Sequence, residues 1–343
     1  MNAAGVSGIS IEGDGVAALC CAHLFSRSEI ACSLSSGRTT KQPAILLGAQ
    51  AASLLRDVCR STSLLDSGWR IRKRVVLWGE ATKPITVEHD GIAISEEILI
   101  AAMRSSLRKH RLAVPMSASW LIATHSSAHD SEFNIYGERR AVSYRVTVRN
   151  LVDSTSCWME STPEGWLFLL PFNGSEASLI ASGTDPESAL RQSRLIVSRL
   201  SDISSASATV SIAPRIARTL CNGGVVRTGS AAMRFDPLCG EGAGHAVREA
   251  YLAVALIRAA MRGEPVEALL AHYTCRLQQA FLQHLVICSS FYSSGGSSDF
   301  WRAEDAALKA GIAELRSGLA TSAPAQFRFR GLDLEAISPL AAL

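Results

Sequence analysis

The apolar pattern changes period within the first twenty-five residues. In "SGISIEGDGVAALCCAHLF", Ile9 and Ile11 alternate with polar neighbours, which predicts a short strand, and residues 16 to 25 then continue as an apolar helix. Gly13, Gly15 and Ala18 stand between and across them at the spacing G-x-G-x-x-G/A. A second strand is predicted over "EIACSL" (29 to 34), and residues 43 to 60, "PAILLGAQAASLLRDVCR", carry apolar residues at helical spacing. "WRIRKRVVLWG" and "ITVEHDGIAI" predict two strands joined by a Gly and Pro turn. Ser95 is placed as an N-cap, with Glu96 and Glu97 in the first turn of a helix reaching about His110. From 117 to 182 the pattern turns to strands, residues 186 to 203 predict another helix, and "GGVVRTGSAA" predicts a buried strand. The remainder, from "EAYLAVALIRAAMRG" through "AALKAGIAELRSG", is helical in pattern.

Strand, glycine turn and apolar helix at the start make the pattern of a dinucleotide-binding βαβ unit. The first glycine makes the tight turn, the second lets the backbone approach a pyrophosphate, and the helix N-terminus offers free N–H groups and a partial positive charge. Ser35, Ser36 and Gly37 stand where an acidic residue for ribose hydroxyls is expected, so a glycine turn without a ligand is the alternative. The element order predicts an α/β protein with a discontinuous cofactor domain (1–65, 95–125 and 205–262). A mostly antiparallel substrate sheet (66–94 and 126–204) is inserted in it, and a helical region (263–343) follows.

Composition removes several function classes. The chain has 343 residues, 48% hydrophobic and 19% charged, with a net charge of +3, and its basic residues are scattered apart from "RIRKR" at 70 to 74. Nucleic acid is therefore not an expected partner. The first Lys or Arg is Arg27, and no apolar run approaches the roughly 18 residues of a membrane span, which predicts a cytoplasmic protein without a membrane partner. Nine Cys with no CxxC pair predict neither a disulfide framework nor a metal site, but reduced and mostly buried side chains. No Ser sits in a nucleophile-elbow context, which removes hydrolase chemistry.

One late stretch changes the picture. "GSAAMRFDPLCGEGAGHAVREA" gathers Gly229, Gly240, Gly242 and Gly244 with Asp236, Pro237 and Cys239 just before a helix. Paired with "GDGVAA" near the start, it resembles the FAD-dependent monooxygenase and halogenase superfamily. "GWLFLLP" (165 to 171) resembles the "GW.W.IP" strand of flavin halogenases, with Phe168 and Leu170 in place of its second Trp and its Ile. Over "PAILLGAQAASLLRDV", "VVLWGEATKPITVEHDGIAISEEILIAAM" and "FYSSGGSSDFWRAEDAAL" the chain also resembles flavoproteins that mature tryptophan-derived quinone cofactors in bacterial amino-acid oxidases and amine dehydrogenases.

This resemblance implies a Rossmann-like FAD-binding domain, an inserted substrate sheet and a helical C-terminal region. It implies FAD-dependent hydroxylation of a Trp side chain in a precursor protein or peptide, with NAD(P)H or a flavin reductase as electron source. FAD would be held by Gly13, Gly15, Ala18, Arg38, Gly229, Ser230, Asp236, Pro237, Gly240 and Gly242. Cys239, Glu241 and His245 would border the reacting atoms. Two departures stand out: Ser230 replaces the usual Asp after Gly229, and the acidic residue after the second strand is missing. Halogenation or hydroxylation of a small aromatic metabolite is the alternative activity; Lys73 lies in a strand where a halogenase Lys could occur, and with Arg70, Arg72 and Arg74 it also reads as a charged sheet face. A degenerate flavoprotein acting as a binding module is a third reading. "FYSSGGSSDFW" (291 to 301) offers four aromatics around a Ser and Gly loop, either for a partner or for packing.

Overall fold

The computed structural model describes residues 7–28, 30–37, 42–107, 117–125, 130–240, 242–321 and 327–337. The alternation at the start becomes β1 (Ser7–Glu12), followed by α1 (Val16–Phe25), every residue of which is buried, and β2 (Cys32–Ser35). Then come β3 (Ile45–Gly48), α2 (Ala49–Cys59), β4 (Trp69–Leu77), β5 (Ile85–Ile94), α3 (Glu96–Leu107) and β6 (Ser117–Ala123). The middle of the chain is rich in strands: β7 (Phe133–Ile135), β8 (Arg140–Val148), β9 (Ser156–Thr162), β10 (Gly165–Asn173) and β11 (Glu176–Gly183). After the short helix α4 (Pro186–Arg191) follow β12 (Leu200–Ala206), β13 (Val210–Ser211), β14 (Arg215–Ala217), β15 (Cys221–Asn222), β16 (Val225–Arg227) and β17 (Met233–Arg234). The helices α5 (Gly242–Met261), α6 (Val266–Tyr292) and α7 (Asp299–Ala320) precede a hairpin of β18 (Phe327–Arg330) and β19 (Asp333–Ala336).

Two large sheets divide the strands. The first has the order β15-β16-β6-β1-β2 and is parallel except for β15. Its parallel strands therefore end at one edge. From β1 the chain crosses through α1 to β2 on one side, while β6 lies on the other, which opens a crevice at the carboxyl end of β1 where open α/β sheets bind ligands. The second sheet has nine strands, β12-β8-β11-β10-β9-β4-β5-β3 with β13 beside β8, and only the β4 and β9 pair is parallel.

The run "GWLFLLP" is continuously apolar because β10 is covered on both faces. Trp166, Phe168 and Leu170 enter the main core, whereas Leu167 and Leu169 enter a second cluster with Trp158, Val146 and Ile196. Alternate residues thus serve different cores, as the two-residue period of a strand requires.

Three elements differ from the sequence pattern, one of them the antiparallel hairpin of β18 and β19 within the region 263–343 expected to be helical. Residues 43 to 60 are not one helix: Ile45, Leu46 and Leu47 pair antiparallel with Ile94, Ala93 and Ile92, and the helix begins only after extended Gly48. A short buried apolar run carries no period that separates strand from helix. The helix predicted over 186 to 203 stops at Arg191 because the buried Glu160 carboxylate accepts the N–H groups of Arg194, Leu195 and Ile196 and the Ser193 hydroxyl. A carboxylate with four donors fixes that turn, and the chain proceeds into β12 on the edge of β8. Of the helix predicted from Glu96 to His110, α3 is described to Leu107, and the last three positions lie outside the described residues.

Candidate cofactor site

The crevice is lined by turns whose shape follows from their residues. Gly13 has φ 128°, and a Cβ there would lie 2.1 Å from Thr124 Oγ1, so only glycine fits. Thr124 Oγ1 in turn donates to the Glu12 carbonyl at 2.8 Å, tying the ends of β1 and β6 together. Gly15 caps α1 without a capping side chain, and the first turn of that helix holds no acidic residue. The N–H groups at its start therefore bring the partial positive charge of a helix N-terminus to the crevice. Ala18 is wholly buried beneath the turn.

The late loop comes to the same place. A Cβ on Gly229 would stand 2.9 Å from Ala17 Cβ, and the exposed Ser230 donates to the Thr124 carbonyl at 3.3 Å. From below, Glu249 of α5 accepts the Gly229 N–H at 2.7 Å and the Thr228 hydroxyl at 3.5 Å. Burial pushes the Glu249 carboxyl up to about 8, against the opposing pull of those two hydrogen bonds.

Asp236 is the best-anchored residue of the loop. Its carboxylate is inaccessible to solvent and accepts from Arg139 Nε at 2.7 Å, the Tyr292 hydroxyl at 2.9 Å and the Leu238 N–H at 2.9 Å. Arg139 also pairs with the buried Glu304 of α7, and Tyr292 accepts from Trp166 Nε1 of β10 at 2.8 Å. Burial opposes the charge on Arg139, but Tyr292, Asp236 and Glu304 outweigh it and raise its pKa. The Asp236 side chain is therefore fully engaged within the protein: it fixes the turn, with Pro237 at the first position, and has no free oxygen for a ligand.

Beyond this turn a cavity of about 910 Å³ opens between α5 and α6, with Arg74 of β4, Cys239, His245 and His284 in its wall. His245 stacks on Phe235 at 4.0 Å, and its pKa falls to about 4 through burial and then the nearby Arg248, so it is a neutral imidazole at physiological pH. His284 is likewise lowered to about 3 by burial, and its Nε2 accepts the Asp236 N–H at 2.8 Å. Cys288 Sγ lies 3.2 Å from the same Nε2 and 3.5 Å from Cys239 Sγ. Arg74 carries a buried Nε without a hydrogen-bond partner, and its Nη2 lies 3.6 Å from where a Gly240 Cβ would stand.

The structure thus gathers Gly13, Gly15, Ala18, Gly229 and Ser230 at the crevice, and Cys239, Gly240, Gly242 and His245 at the cavity end of the loop. Arg38 and Glu241 lie outside the described residues. Lys73 is exposed and opposite Glu88 in the register of β4 and β5, a charged sheet face away from the cavity wall. The aromatics of 291 to 301 turn inward: Trp301 is buried with its Nε1 on the Thr162 carbonyl, and Trp78, Tyr292 and Phe300 pack around it. They build the core rather than a clasp for a partner.

Sequence reasoning missed three features. His125, at the end of β6, packs against Gly13 and Gly37 with a buried Nδ1 that has no hydrogen-bond partner, at the position where the acidic ribose ligand was missed. Arg74 was hidden in a run of basic residues whose other members are exposed. His284 and Cys288 had one local signal, the four-residue spacing that places both on one helix face. For Glu249, a carboxyl raised in the folded state contributes stability that is complete below the unfolded value near 4.5 and is lost as pH rises toward about 8. Thermal unfolding should therefore show the native chain losing a few kcal/mol more than Glu249→Gln between about pH 5 and 8.5. Identical pH profiles would show that Glu249 is solvated and ionised.

No family model matches the chain, and no curated protein does. Solved structures do match. The peptidyl tryptophan dihydroxylase QhpG, essential for tryptophylquinone cofactor biogenesis, superposes with a TM-score of 0.75 at 16% identity over 96% of this chain and 86% of its own. The flavin-dependent halogenase CmlS gives 0.73 at 16% over 92% of this chain and 70% of its own. The p-nitrophenol 4-monooxygenase PnpA from Pseudomonas putida DLL-E4 gives 0.70 at 15% over 92% and 97%. At these identities the likeness concerns architecture: this chain has the fold of the flavin-dependent halogenases and monooxygenases.

Proposed function

We propose that the chain is an FAD-dependent monooxygenase that hydroxylates a tryptophan side chain in a partner protein or peptide during quinone-cofactor biogenesis. The observation that carries the FAD reading is the bare backbone at both ends of the crevice. A Cβ on Gly15 or Gly242 would meet nothing within 4 Å, so the backbone at both places stands open to a ligand. In this reading residues 1–65, 95–125 and 205–262 form the FAD-binding domain, and 66–94 with 126–204 the substrate domain. The likeness to QhpG supports the tryptophan substrate.

When bound, FAD supplies activation of dioxygen for insertion into an electron-rich ring. The residues of the chain supply the rest. Gly13, Gly15 and Ala18 would present the start of α1 to the pyrophosphate, with His125 toward the adenosine end, and Arg38, outside the described residues, is assigned to the adenosine phosphates. Gly229 and Ser230 border the ribityl chain, the Ser hydroxyl standing in for the usual carboxylate. Gly240 and Gly242 would border the ring of a bound flavin, and the N-terminus of α5 and Arg74 would supply positive charge there. His245, neutral by burial, would offer a hydrogen-bond acceptor beside the substrate, Cys239 would form part of the same wall, and Glu241, outside the described residues, is assigned to that end of the loop. Electrons come from NAD(P)H or a flavin reductase.

The cofactor reading predicts uptake of FAD in preference to FMN, because the glycine turn before α1 is assigned to a pyrophosphate, which FMN lacks. Gly15→Val should abolish uptake in flavin titrations while leaving the circular dichroism spectrum unchanged. Equal affinity for FMN, or no flavin affinity at all, would leave a binding module. The substrate reading predicts oxygen incorporation, by mass spectrometry, into a Trp of the partner polypeptide and little into free tryptophan. Efficient conversion of the free amino acid, or chlorine incorporation in the presence of halide, would replace it with a tailoring hydroxylase or a halogenase.

A further inference from the structure

In one corner of the cavity, His284 and Cys288 have no part in the oxygenation reading, and Cys239 serves it only as a piece of the wall. Cys239 at the end of the Asp236 turn, and His284 and Cys288 on one face of α6, bring three donor atoms within 4.8 Å of one another. The two sulfurs are 3.5 Å apart, and His284 Nε2 is 3.2 Å from the Cys288 sulfur. A tetrahedral zinc ion with bonds of about 2.3 Å to sulfur and 2.0 Å to nitrogen has ligand–ligand edges on the order of 3.5–3.8 Å. The two short edges reach that geometry by lengthening a few tenths of an ångström, and the third, from Cys239 Sγ to the His284 nitrogen, lies within 4.8 Å and closes by up to about 1 Å. All three residues are buried, yet Cys239 and His284 also line the cavity, which gives an ion a route inward.

We propose that Cys239, His284 and Cys288 form a binding site for a thiophilic metal ion of the zinc class, with its fourth position turned to the cavity. The proposal stands on the positions of these side chains and not on the flavin reading. On binding, a divalent ion displaces the two thiol protons, which leave through the cavity, and takes His284 as neutral imidazole. The filled site carries no net charge, which suits its burial. The Nε2 lone pair that now accepts the Asp236 N–H becomes the metal ligand, so loading frees that amide and couples the ion to the loop. A sequence scan for paired cysteines passes over the site, because Cys239 and Cys288 are 49 residues apart.

The test uses the tag-free full chain, reduced, stripped with chelator and handled without oxygen, and titrates it with Co2+ and then Zn2+. One equivalent of Co2+ should release two protons and produce thiolate-to-metal charge transfer and tetrahedral ligand-field bands, and Zn2+ should then erase the bands by displacing Co2+ without further proton release. Cys239→Ser and Cys288→Ser should each weaken Co2+ binding by about a hundredfold or more, while Cys275→Ser, outside the cluster, leaves it unchanged. Where Cys288→Ser does not fold, Cys239→Ala at the cavity wall gives the same readout. A wild-type chain without charge transfer, or a band that survives in Cys239→Ser, overturns the proposal.

Discussion

The ion pair between Arg139 and Asp236 constrains the molecule more than any other contact described, because both charges are sealed from water. Removing one partner from such a pair typically costs about 3–5 kcal/mol, since the other is left desolvated and unpaired. Elements from the inserted sheet and the helical region converge on it. Arg139 leads into β8 and reaches Glu304 of α7, Tyr292 brings α6, Trp166 brings β10, and the Asp236 N–H holds His284. The turn from Asp236 to Gly240 is thereby set by the inserted sheet and the helical region together, although it lies beside the parallel sheet. A Cβ on Gly137 would fall 2.0 Å from a Glu304 oxygen, so even the approach to Arg139 demands glycine.

This explains which parts of the fold were legible. The β1 turn and α1 were readable because their cause is local: a glycine at positive φ, a bare helix start and an apolar helix. The strands over 69–77 and 85–94 were readable from their turn residues and β-branched content. The strand at Ile45–Gly48 was not, because it is a strand only through pairing with β5. The stop of α4 was not either, since Glu160, some thirty residues earlier, captures the N–H groups that would have continued the helix.

The site follows the same division. Glycine positions were visible as sequence, and the structure places them on one crevice. Asp236 looked like a ligand residue and is a buried strut, which only its distant partners reveal. Conversely His125, Arg74 and Glu249 looked ordinary, and each gains its interest from burial without a matching charge. The missing carboxylates of the resemblance are thus set against a serine, an imidazole and a carboxyl held largely protonated by burial, all of which make a proposed FAD site less acidic than its resemblance suggests.

The central claim is that the buried pair positions the loop for the cofactor without touching it. It is tested most directly by the FAD dissociation constant of Asp236→Asn, measured on protein shown by circular dichroism to be folded. The account predicts affinity weakened by at least about tenfold, since the turn loses its charged anchor while every proposed ligand-facing residue is retained. A folded Asp236→Asn protein that binds FAD as tightly as the native chain would contradict it.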